Sequence, residues 1–139
     1  MIVLDTNVLS ELMNPKGSKV VTDWADAQTK NGLFTTAISQ SEILLGIAIL
    51  PRGSRRQRLY NTAETLFKER FAHKILPFGQ SAAEHFAAVS SARRRQGKPI
   101  SQSDAQIAAI CLAHQATLAT RNVKDFANCQ LTIVNPWES

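Results

Sequence analysis

Apolar residues along the chain alternate between two spacings, and the switch from one to the other recurs. Ile2-Val3-Leu4 is a short unbroken apolar run that ends on Asp5-Thr6-Asn7, after which Val8, Leu9 and Leu12 follow a helical spacing. A short apolar run bounded by a polar turn reads as a buried strand, and a period of three to four as a helix. Asn14-Pro15-Lys16-Gly17 breaks the pattern; Ser18 then caps a second helix with Val20, Val21, Trp24 and Ala27 on one side, closed by Asn31-Gly32. Leu33 to Thr36 is a second strand. Ser39-x-x-Glu42 opens a strongly apolar helix through Ile43, Leu44, Ile47 and Leu50 that Pro51 stops, which puts Glu42 in its first turn.

The second half repeats the scheme. A helix over Ser54 to Phe71 carries Leu59, Ala63, Leu66 and Phe67; Lys74 to Phe78 is a third strand; Ser81 to Gln96 is a helix whose small apolar face includes Ala83, Phe86, Ala87 and Ser90. After the turn Gly97-Lys98-Pro99-Ile100, Ser101-x-x-Asp104 opens a helix through Ile107, Ile110 and Leu112. Thr117 to Thr120 and Leu131 to Val134 complete the strands, separated by a turn and short helix over Arg121 to Phe126. Strands alternating with helices predict an α/β domain of three layers, α/β/α, around a central, mostly parallel sheet of about five strands. No repeat, linker or low-complexity tract divides residues 1–139, so a single domain is expected.

Composition narrows the class. A chain of 139 residues buries roughly two-thirds of its unfolded surface, enough for a core without metal or disulfide staples. With 44% apolar and 19% charged residues it is neither disordered nor membranous, and its longest mostly apolar run, Ile43 to Leu50, is too short to cross a bilayer. No basic leader precedes the first apolar segment, so a cytoplasmic location is expected. Cys111 and Cys129 fit no metal spacing and are expected to be reduced structural thiols. His73, His85 and His114 are scattered and suggest no nucleophilic triad.

The charge of +5 is unevenly placed. Pro51 to Lys98 holds eleven Lys or Arg against three Glu, a local excess of +8, and leaves the rest at −3. A basic middle beside a more acidic remainder fits attraction for a polyanion, although a solvated helical face reads the same way. Arg55, Arg56 and Arg58 cluster at a helix start, where cations oppose the helix dipole; Arg93-Arg94-Arg95 sit in a last turn, where cations are favoured. The first group therefore has no helix-stabilising explanation. The second has one, set against a role in polyanion binding.

Asp5, Glu42, Asp104 and Asn122 each stand where a helix begins, and singly each is a good capping residue. Jointly they differ, because strand-to-helix junctions of a parallel sheet lie along the carboxyl edge where such folds bind ligands. Three carboxylates brought within about 5 Å would repel by about 3 kcal/mol per pair at an effective dielectric of about 20. Capping returns only about 1 kcal/mol per helix. Convergence therefore requires a cation, and oxygen donors select a hard one such as Mg2+ or Mn2+.

The series Leu4-Asp5-Thr6-Asn7, Ser39-x-x-Glu42, Ser103-Asp104, Ala119-Thr120-Arg121-Asn122 and Asn135-Pro136-Trp137 resembles the PIN-domain nucleases over Met1 to Trp137. It is most similar to VapC toxins of bacterial toxin–antitoxin pairs, including the FitB-like branch. The resemblance implies a metal-dependent endoribonuclease in which Asp5, Asp104 and Glu42 hold Mg2+ or Mn2+ and Asn122 completes the catalytic set. Thr6, Asn7, Thr120 and Asp125 would support them. Many relatives carry Asp where this chain has Asn122, which lowers the charge available for a second ion; Asp125 either compensates or simply begins a helix. The resemblance further implies a VapB-type antitoxin, an RNA substrate, a homodimer and no membrane. Arg52, Arg55, Arg56, Arg58, Lys98 and Arg121 are candidate phosphate contacts, and Trp24 and Trp137 read as packing residues. Two other functions compete. One is a catalytically silent PIN-like binding or regulatory subunit. The other is a haloacid-dehalogenase-type phosphatase, which needs a second Asp where Asn7 stands.

Overall fold

The computed structural model describes residues 1–28 and 32–139. Asn31, expected to help close the second helix, lies outside the described residues. Five strands, β1 (Ile2–Leu4), β2 (Leu33–Thr36), β3 (Ile75–Leu76), β4 (Thr117–Ala119) and β5 (Thr132–Val134), form one sheet in the order β3-β2-β1-β4-β5. Every pairing is parallel. Among the described residues six α-helices accompany them: α1 (Thr6–Met13), α2 (Lys19–Ala27), α3 (Ala37–Ala48), α4 (Ser54–Thr65), α5 (Gln80–Arg95) and α6 (Gln102–Ala113). A π-helical turn, Leu66–Arg70, continues α4.

Strand alternation divides the core into two. Side chains of successive strand residues point to opposite faces, and the register pairs Val3 with Leu118 and Leu4 with Ala119. Val3 and Leu118 pack with Ile107, Ile110 and Phe126 on the face covered by α5 and α6. Leu4 and Ala119 pack with Val8, Val21, Ile43 and Phe67 on the face covered by α1 to α4. The expected three-layer α/β/α arrangement follows, with a sheet that is parallel throughout.

Several local expectations are corrected. The third strand is two residues long, and Ser18 precedes α2 without a side-chain cap. Val21, Ala25 and half-buried Trp24 form the inner face of α2, while Val20 and Ala27 are exposed. On α5 the inward positions are Ala82, Phe86, Val89 and Arg93, and Ala83 and Ala87 face outward. A helix built largely from Ala and Ser has little contrast between its sides, so its rotation follows from seating Val89 and Phe86. The apolar helix α3 starts earlier than expected: Thr36 is its cap, accepting from the Ser39 N–H at 3.0 Å. Ser39-x-x-Glu42 is therefore not a capping box, and Glu42 lies in the second turn.

Candidate metal centre

Strand order changes direction in the connections at β1, whose neighbours are β2 and β4, and the crevice at that switch point is where doubly wound sheets take ligands. Asp5 leaves the carboxyl end of β1 there, and Thr120 leaves the end of β4. The Asp5 N–H donates to the Ala119 carbonyl, which prolongs the β1–β4 pairing by one residue and fixes the backbone of the acid. Asp5 is also the N-cap of α1: its Oδ1 accepts from the Val8 N–H at 3.1 Å. The other oxygen, Oδ2, accepts from the Thr120 hydroxyl at 2.5 Å. Thr120 is fully buried and its hydroxyl in turn accepts from the Asn122 N–H at 3.0 Å. One chain of bonds thus links α1, both central strands and the loop after β4.

The remaining acids gather around this anchor. Thr6 donates to Glu42 Oε1 at 2.7 Å, and its hydroxyl lies 3.1 Å from that of buried Ser39. Asp104 sits in the first turn of α6, where its N–H donates to the Ser101 hydroxyl at 3.2 Å. Burial pushes the Asp5 carboxyl above the usual carboxylate range, against the pull of its bonds from Thr120 and Val8, and the charge of Asp104 pushes it further. Burial also raises Asp104, opposed by Ser101; Asp125 and Glu42 add to the rise, and Arg93 opposes it. Asp104 is therefore the acid through which the negative charges meet, coupled to Asp5 on one side and to Asp125 and Glu42 on the other. Among the described residues none of the four takes part in an ion pair.

A divalent cation fits this donor set. The side chains offered are carboxylate, hydroxyl and amide oxygens, the ligands of a hard ion. Cys111, buried beneath the site, has its thiol pushed up to about 12 by burial and the charge of Asp5, so it brings no thiolate. Among the described residues no three His, Cys, Asp or Glu stand close enough to enclose an ion alone. Water would have to complete the coordination, as is usual for Mg2+.

Asn122 and Asp125 are exposed, and the 3-10 turn Val123–Phe126 begins at Asn122 without a cap bond from its side chain. The amide is thus free of the capping role expected of it. Asn7 is exposed and contributes its backbone N–H to Asp5. Of the basic candidates, Arg55 and Arg58 line a groove of about 760 Å3 shared with Thr6 and Glu42. Arg52 and Arg56 line a separate hollow of about 570 Å3 that contains none of the acids. Arg121 lies over the half-buried Trp137 ring, 5.0 Å from its centroid, and Lys98 is exposed in the turn before α6.

Sequence reasoning missed two contributors. Ser39 is fully buried beside Thr6 and Thr36, a hydroxyl cluster that a capping-box reading of the same residue hides. Arg93, grouped with exposed Arg94 and Arg95 as a helix-end cation, is 7% exposed. It donates from Nε to the Lys98 carbonyl at 2.7 Å and from Nη1 to the carbonyls of Asp125 and Ala127 at 2.9 and 3.1 Å. The guanidinium ties the turn before α6 to the loop carrying Asp125. Its spacing from Ala82, Phe86 and Val89 was the available signal.

The model of the PIN domain family matches residues 2–129. The chain is 38% identical over 138 residues to VapC ribonuclease Y4jK of Sinorhizobium fredii, covering 99% of each. It is 35% identical over 137 residues to toxin FitB of Neisseria gonorrhoeae, again 99% of each. Among solved structures, FitAB bound to an IR36 DNA fragment is similar with a TM-score of 0.90 at 35% identity, covering 99% of this chain and 96% of that one.

Proposed function

Since this chain belongs to the PIN-domain family, we propose that it is the toxin of a type II toxin–antitoxin pair and acts as a metal-dependent endoribonuclease. The observation that carries the reading is the group of acids around Asp104 and Asp5 at the sheet's switch point, in no ion pair among the described residues and opposed only by the nearby charge of Arg93, with Asp5 fixed by its buried bond from Thr120. Relatives that match it from end to end are a VapC ribonuclease and toxin FitB.

Asp5 and Asp104 are the principal ligands in this reading, with Glu42 reaching the ion directly or through water. The divalent metal of this reading is Mg2+ or Mn2+, and an all-oxygen donor set supports a hard ion of that kind. When bound, the ion supplies Lewis-acid charge to the phosphate and makes a nearby water more acidic. The protein's own part is positioning. Thr120 and the Val8 N–H fix the two oxygens of Asp5, and Thr6 holds Glu42, whose carboxylate can accept a proton from water or orient it. Asn122 presents a neutral amide to water or substrate, which adds no charge for a second ion. Asp125 adds negative charge beside Asp104 and supports it.

FitB is known in complex with FitA on DNA, and a cognate VapB-type antitoxin is the corresponding partner here. Homodimerisation, a single domain over residues 1–139 and a cytoplasmic location complete the reading. No helix among the described residues is long and apolar enough to cross a membrane. Cleavage of single-stranded RNA by the purified protein, with Mn2+ and with EDTA, tests it. Cleavage that persists in EDTA, or in Asp104→Asn, refutes metal-dependent hydrolysis at this site.

A further inference from the structure

We infer that the groove between α1, α3 and α4 is the subsite for the nucleotide next to the scissile phosphate, with Arg55 and Arg58 gripping that nucleotide's flanking phosphate. The inference rests on the nuclease reading and extends it to how the substrate lies. Thr6 and Glu42 belong both to the acid cluster and to the lining of the groove, so the two are continuous. At about 760 Å3 the groove is of the size that encloses one small organic ligand, which suits a single nucleotide and not a duplex.

The two arginines of the lining call for an anion. Arg55 and Arg58 stand three residues apart in the first turns of α4, on one side of the helix, and both are exposed. Among the described residues neither is in an ion pair. Cations in that position also oppose the helix dipole, so α4 is less stable for having them until an anion arrives. The same lining includes Ile43, Ile47 and Leu59, each a near neighbour in sequence of Glu42 or Arg58, an apolar surface suited to the face of a base.

The two ends of the groove make opposite demands. The Glu42 end calls for a cation and the arginine end for an anion. A single-stranded polynucleotide satisfies both, with its scissile phosphate carried on the metal and the next phosphate on the arginines. An acidic protein segment would satisfy the arginines but bring its own charge against Glu42. The hollow lined by Arg52 and Arg56 has no such polarity, since no acid lines it.

Equilibrium binding of a fluorescein-labelled single-stranded RNA, measured by anisotropy in EDTA over a range of KCl, tests the subsite without cleavage. Each phosphate contact on a single strand contributes about 0.7 to the salt slope, so losing the one phosphate that both arginines hold in Arg55→Ala/Arg58→Ala should make it shallower by about 0.7 and weaken binding about tenfold. In Mn2+ the same variant should raise KM about tenfold and change kcat less than about threefold. Arg55→Lys/Arg58→Lys should restore most of the binding, because a phosphate accepts a point charge. Lys19→Ala/Lys68→Ala removes two cations already paired with Asp23 and Glu64 and should leave the slope unchanged. Wild-type affinity and slope in the arginine double variant overturn the subsite, whether or not RNA is cleaved. A wild-type protein that binds through the arginines but does not cleave overturns the nuclease reading alone.

Discussion

Replacing Asp5 by Asn separates its structural work from its chemistry. Asn and Asp cap helices about equally well, so the Val8 N–H can keep its acceptor. The Asp5 carboxylate, however, accepts at both oxygens, from Val8 and from Thr120, and an amide has only one oxygen. One buried donor loses its partner, which costs about 1–3 kcal/mol. Against this, burial outweighs the hydrogen bonds in setting the Asp5 carboxyl, so its charge is unfavourable in the metal-free fold and its removal is a gain. With the two effects opposed, the unfolding free energy should change by less than about 2 kcal/mol, a shift in Tm of less than about 8 °C. Activity should fall at least about a hundredfold, since a ligand to an ion worth several kcal/mol in the transition state is lost. Single-turnover RNA cleavage and thermal melts, each with Mn2+ and with EDTA, measure both. Mn2+ at about a hundred times its Kd should stabilise the wild type by about 2.7 kcal/mol and Asp5→Asn far less. An Asp5→Asn protein that cleaves within about tenfold of wild type, or gains the full Mn2+ stabilisation, would refute the assignment.

Three further outcomes are expected. Thr120→Val removes the donor to Asp5 and the acceptor of the Asn122 N–H, costing about 1–3 kcal/mol in urea unfolding. The lost bond had lowered the Asp5 carboxyl, so the acid limb of the pH–rate profile should move to higher pH; an unmoved limb contradicts the role of the bond. In the metal-free protein, Asp5 and Asp104 have folded-state values above the ordinary 3.8, so the fold holds their protons more tightly than the unfolded chain. The stability they contribute is full below 3.8 and is lost as pH rises through their raised values. The Tm increment from Mn2+, which binds the ionised acids, should accordingly grow from pH 5 towards 7 (~), and an increment that shrinks with pH counts against carboxylate ligation. Arg93→Met strips donors from three carbonyls and should destabilise the fold by about 3 kcal/mol or more in urea unfolding; a change below about 1 kcal/mol would show that the loop does not depend on the clamp.

Much of the architecture was legible because it rests on local regularities. Short apolar runs, turn residues and helical spacing marked the five strands and six α-helices of the described residues, and their alternation implied a parallel sheet. The misplacements arose where local signals tie. Ser39 and Thr36 are equally good caps and both are buried, and only the end of β2 at Thr36, where the backbone is still extended, decides which one α3 uses. The rotation of α5 was misread because Ala and Ser tolerate either face. Asp5, Glu42 and Asp104 were recognised as site candidates by their positions before or near helix starts, although Glu42 reaches the rim from a second turn.

By itself the sequence determined that there would be an α/β sheet with Asp5 where its first strand gives way to a helix, because periodicity and capping are properties of neighbouring residues; Asp104, expected at such a junction too, instead begins a helix that follows another helix. Tertiary structure alone decided which charges feel one another. Thr120 meets Asp5 across 115 residues of chain, and Arg93 becomes a buried clamp through carbonyls 32 and 34 residues away. Likewise Arg55 and Arg58, but not Arg52 and Arg56, share a groove with Glu42. Such contacts depend on strand order and on how helices seat against the sheet, and no spacing along the chain encodes them.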